Sequence, residues 1–171
     1  MLDGCTGTPA FVVNPALDIL TASTSAQALY SPFEPGGNLA RMAFLDPAGR
    51  SFHRHWNRTA EAVVDHLRQA YGVDLEDARL ERLTSELSAC STDFDRLWKT
   101  HAVYGKTRAD KHFHHPNVGE LTLTYHALDV RDAPGQQLIV YHAEPGSRSA
   151  ETLSLLGSVQ ATVNRAEQHG T

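Results

Sequence analysis

The sequence predicts an α+β domain: a five-stranded antiparallel sheet with helices on one face and a C-terminal helix. Three observations carry that expectation. The apolar residues alternate near the N-terminus, follow a helical period from about residue 25 to 101, and alternate again from Lys111. Two early strands and three late ones must pair across the helical middle, which gives one sheet with helices packed against it. The chain has 171 residues, 41% of them hydrophobic, and that suits one domain burying roughly two thirds of its unfolded surface.

Each element follows from its own pattern. Phe11-Val12-Val13 and Asp18-Ile19-Leu20 read as two short strands around the turn Asn14-Pro15-Ala16-Leu17. Ala60, Val63, Val64, Leu67 and Tyr71 form one helical stripe that Gly72 should end. Leu80, Leu83 and Leu87 form a second. A third helix starts at Ser91-Thr92, where Thr92 and Asp95 have capping-box spacing, and carries Phe94, Leu97 and Trp98. Lys111 to His115 is the third strand. In the next, Leu121, Leu123 and Tyr125 share one face and Glu120, Thr122, Thr124 and His126 the other. Asp132-Ala133-Pro134-Gly135 turns the chain into Gln137 to Tyr141, whose continuous apolar run suits a central strand. After Pro145-Gly146-Ser147, a last helix carries Leu153, Leu156, Val159 and Val163. The strand order is that of a PAS-like domain, whose cupped sheet can enclose a ligand.

Composition excludes several functions. The net charge of -5 argues against holding a nucleic acid by phosphate neutralisation. Two cysteines, Cys5 and Cys90, are too few for a disulfide framework and read as cytosolic thiols. The N-terminus lacks the basic start of a signal peptide, and no apolar run approaches the ~20 residues of a membrane span. A cytoplasmic location is expected.

His53-x-His55 and His112-x-His114 place imidazoles at i and i+2, a spacing that zinc accepts. A metal-dependent enzyme built on these pairs is one alternative, although HExxH, HxxEH and CxxC are all missing. No GxSxG elbow or phosphate loop occurs. No catalytic residue, metal ligand or cofactor is therefore assigned. His101 follows Phe94, Leu97 and Trp98 on one helix face, either as a satisfied core imidazole or as a polar group at a cavity. Arg41 stands among Leu39, Met42, Phe44 and Leu45, either snorkelling to water or offering its fork to a carboxylate. Leu156, Val159, Val163 and Ala166 make a short seam that either caps the domain or self-associates. A ligand-free protein-interaction module is the other alternative.

The blocks Gly7 to Asn14, Asn38 to Pro47, Trp56 with the Ala60-Val63-Val64-Leu67-Arg68 helix, Ser91 to Trp98 with His101, His115 to Leu123 with Tyr125, and Glu144 to Ser147 occur in one order. That ordered set resembles the ligand-binding domain of MmyB-like transcription regulators and covers about residues 7 to 156. The chain departs from the family pattern at Thr21-Ala22-Ser23, where a Trp-Asn pair is usual, and at Ala102, where an acidic residue is common. The resemblance implies a PAS-like sensory domain over 7–147, followed by a C-terminal helix and tail over 148–171. It also implies an Xre-type helix-turn-helix module that this chain does not contain. His115 belongs to the family's His-Pro-x-Val-Gly turn, which implies a structural role.

The resemblance further implies a small hydrophobic ligand, a fatty acid or similar lipid, that modulates DNA binding through the helix-turn-helix module. The last helix leaves a homodimer open as one assembly. The cavity is expected between the sheet residues Leu121, Leu123 and Tyr125 and the helical residues Phe44, Leu45, Trp56, Val63, Leu67, Leu97 and Trp98. Arg41 and His101 are expected at the head group.

Overall fold

The computed structural model describes residues 2, 7–34, 37–100 and 110–169. Its first strands, β1 (Ala10–Val13) and β2 (Ile19–Ala22), pair antiparallel around a turn closed by Asn14. The Asn14 side chain accepts from the Asp18 amide at 2.9 Å, and Leu17 takes a positive φ of 65° to complete the reversal. Ser23 then caps α1 (Thr24–Leu29): its buried hydroxyl oxygen accepts from the Ala26 amide at 3.2 Å and the Ala10 amide at 3.0 Å. The departure at Thr21-Ala22-Ser23 thus ties the start of β1 to the first helix.

Five helices follow: α2 (Leu39–Phe44), α3 (Gly49–Phe52), α4 (Trp56–Val73), α5 (Ala78–Cys90) and α6 (Thr92–Lys99). Gly49 permits the close approach of α2 and α3, since a Cβ there would stand 2.2 Å from the Met42 carbonyl oxygen. α4 runs through Gly72 to Val73, because one helical glycine costs only about 1 kcal/mol and the chain ends the helix at Asp74 instead. The α6 cap falls one residue earlier than the spacing of Thr92 and Asp95 suggested. Ser91 accepts from the Phe94 amide at 3.2 Å while also ending α5, so one extended residue makes the corner.

The chain returns through β3 (Asp110–His115), β4 (Gly119–Asp129) and β5 (Gln137–His142), then closes with α7 (Arg148–Gln168). All pairings are antiparallel and the order is β2-β1-β5-β4-β3, which puts the apolar β5 in the centre. One sheet face carries the buried Phe11, Ile139, Tyr141, Leu121, Leu123 and Phe113; on the other, Glu120, Thr122, His126 and Leu128 are exposed. α1 and α3 meet the buried face. Thr152, Leu153 and Leu156 seat the first turns of α7, which packs along α1. Leu156 therefore leaves the seam read from the sequence, and the exposed stripe is Leu155, Val159 and Val163. No helix among the described residues is long and apolar enough to cross a membrane.

Candidate ligand-binding site

α4 buries Trp56, Ala60, Val63, Val64 and Leu67 on the stripe that its spacing dictates. The Trp56 indole donates to the Ala43 carbonyl at 2.8 Å, which locks α4 to α2. Phe44 sets its edge against Trp56 at 5.7 Å and against Phe94 at 5.2 Å. Trp98 stacks on Phe94 at 5.5 Å and meets Tyr71 at 5.7 Å. Phe44, Leu45, Leu97, Trp98 and Tyr71 are only half-buried, so this aromatic wall keeps part of its surface available.

Arg68 holds the end of α6. Its guanidinium donates to the carbonyls of Leu97 and Thr100, each at 2.9 Å, and to that of Trp98, satisfying groups that a helix end leaves open. It also lies 5.5 Å from the Trp98 ring. The sequence offered only an arginine on a helix, with nothing to show that it would reach a second one.

On the sheet, Leu121 and Leu123 are buried and Tyr125 is half-buried. Opposite Leu123 stands Lys111, on the same face as Phe113 and His115, with its ammonium 5.5 Å from the Tyr125 ring. Desolvation pulls the Lys111 pKa down, and no carboxylate pairs with it among the described residues. A cation on an inward-facing strand position is the feature that sequence reading missed. Its alternation with Phe113 was the available signal.

Arg41 lies elsewhere. Its side chain is 52% exposed and pairs with Glu86 at 3.0 Å, because its position on α2 points it toward α5 and solvent rather than toward the sheet. His101 lies outside the described residues. Trp56, Val63 and Leu67 are buried, and Leu121 and Leu123 belong to the same continuous core as the helical residues.

The histidines separate. His53 is buried against Phe52 and Phe113, and burial, with Lys111 adding, depresses its pKa to about 4. His115 is fully buried; Asn117 donates to its Nδ1 at 3.1 Å, so Nε2 carries the proton and donates to the Ala28 carbonyl at 3.2 Å. His55 and His112 meet at 5.1 Å. Among the described residues no three His, Cys, Asp or Glu side chains converge as metal ligands.

Burial depresses the pKa of His53, and likewise of His66 and His115, where hydrogen bonds to backbone carbonyls only partly oppose it. The folded state thus binds fewer protons than the unfolded chain below about pH 6.5, so stability is complete above that value and declines as pH falls. His53 alone is expected to remove roughly 2 kcal/mol between pH 7 and 5. Urea unfolding at the two pH values checks this; equal free energies would contradict it.

No curated protein matches the chain. The model of the MmyB-like transcription regulator ligand binding domain matches residues 1–156, ending at Leu156, the last core residue of α7. That match spans most of the chain, and the chain belongs to the MmyB-like transcription regulator ligand-binding domain family.

Proposed function

We propose that the domain senses a long-chain fatty acid or a lipid of similar shape, with the carboxylate on Lys111 and the acyl chain against Leu97, Trp98, Phe44 and Tyr125. The observation that carries this reading is Lys111 itself, a desolvated cation on an apolar sheet face without a described acidic partner. An unpaired charge there is costly, and a bound carboxylate offsets that cost. Burying about a dozen methylenes contributes about 10 kcal/mol gross. Ordering the ligand takes back several, which leaves affinities near the micromolar range.

Regulation follows if the ligand binds two arrangements of the domain unequally, since equal affinity shifts nothing. DNA reading is assigned to the helix-turn-helix module of the regulator, in keeping with the -5 charge of this chain. Self-association fits the same reading, through the exposed Leu155, Val159 and Val163 stripe.

Delipidated protein titrated with a C16 fatty acid and with the matching alcohol tests the proposal. The acid is expected to raise the melting temperature and to appear as a bound mass in native mass spectrometry. Lys111→Met is expected to weaken the acid about 10- to 100-fold, the worth of a charge-assisted hydrogen bond, and to leave the alcohol nearly unchanged. Equal losses for both ligands would remove Lys111 from the head group. No bound lipid at all would favour a filled interaction module.

A further inference from the structure

The start of α4 forms a second feature, independent of the sheet lysine. A solvent-open cleft of about 420 Å³ is lined by Arg50, Arg54, His55, Trp56, Asn57 and Arg58. Three arginines and no acidic residue line this recess, in a chain whose net charge is -5. Arg50 is pre-oriented, lying 3.9 Å over the Trp56 ring. At the rim Arg50 pairs with Asp93, and Arg54 pairs with Glu120 at 2.8 Å, so each has one acidic neighbour. Arg58 has no ion-pair partner among the described residues.

The backbone adds to this field. α4 begins without a side-chain cap at His55 and without an acidic residue in its first turn. Arg58 and Thr59 amides donate to the His55 carbonyl, whereas the Trp56 and Asn57 amides have no described backbone acceptor. Arginine forks match the oxygen geometry of a phosphate, and helix-start amides complement its charge. A tetrahedral dianion offers enough acceptors to use several of these donors together, which a single carboxylate does not.

We propose that the Arg50-Arg54-Arg58 cleft binds a phosphate-type dianion, either free phosphate or a small phosphomonoester. The test titrates the whole chain with inorganic phosphate, sodium chloride holding ionic strength constant, while NMR follows the Trp56 and Asn57 amides. Saturable shifts of both are expected. Arg58→Gln and Arg54→Gln should each weaken binding about tenfold. Arg131→Gln, at an exposed position of the β4–β5 turn, should leave it unchanged. Melting temperatures of all variants report whether the fold survives.

Glycerol 3-phosphate binding more tightly than inorganic phosphate identifies an ester as the ligand; equal or weaker binding identifies free phosphate. Shifts that do not saturate, that acetate reproduces at the same concentration, or that neither arginine variant weakens would overturn the proposal. The lipid reading stands or falls separately, since it rests on Lys111.

Discussion

Phe52→Ala is expected to destabilise the domain by about 3–5 kcal/mol, the range for deleting a buried phenyl ring. Phe52 is 1% exposed, and its ring meets Tyr30, Phe33, His53, Phe113 and His115 at 4.9–6.3 Å. Those partners come from the segment that follows α1 (Tyr30, Phe33), the residue that ends α3 (His53) and β3, so one side chain joins the helical layer to the sheet edge. Each well-oriented ring pair adds about 0.5–1.5 kcal/mol beyond area burial, and collapse around the gap is opposed by rings held on separate elements. The melting temperature should fall by roughly 10–15 °C. Phe52→Leu, which keeps most of the volume, should cost markedly less. A loss below about 1 kcal/mol for the alanine variant would show that the cluster relaxes into the space.

The second large effect is electrostatic. Asp18 accepts from Arg79 Nε at 2.8 Å and from a terminal guanidinium nitrogen at 2.5 Å, while Asn14 and Asn38 donate to it at 2.9 and 3.0 Å. The Arg79 hydrogen bond, strengthened by the two amides, holds the Asp18 pKa down at about 2 against the opposing effect of burial. Asp18→Ala is expected to cost roughly 2–4 kcal/mol at pH 7, because it also removes the acceptor of three side-chain donors, two of which, Asn38 and Arg79, tie the β1–β2 turn to the starts of α2 and α5. The folded pKa lies below the ordinary carboxylate value, so this stability is complete above about pH 4 and is lost as pH falls toward 2. Wild type should therefore lose stability in two windows, the histidines acting first and Asp18 below pH 4. Denaturant midpoints for wild type and Asp18→Asn across both windows check this. The variant should keep the first decline and lack the second.

Much of this fold was legible because local patterns and tertiary packing agree. Alternation in β4, the apolar run of β5 and the stripes of α4 and α5 all place their residues where the core needs them. The cap of α6 lies one residue before the capping-box spacing because Ser91 and Thr92 offer the same hydroxyl, and only the corner with α5 selects Ser91. The site was less legible. Arg41 sits in an apolar segment, yet its direction depends on the rotation of α2 against α5, which six residues do not set alone. Lys111 alternates with Phe113, but a lysine in a strand ordinarily marks the solvent face or an edge.

Periodicity and turn chemistry by themselves determined the α+β class and the split of strands around a helical middle. Those are consequences of neighbours in the chain, where side-chain direction repeats with a period of two or 3.6 residues. Tertiary structure alone decided which charges face inward, which histidines are neutral, where Arg68 and Arg79 reach, and that three arginines share one cleft. Such pairings join residues tens of positions apart, and the packing of whole elements fixes them before any local rule applies.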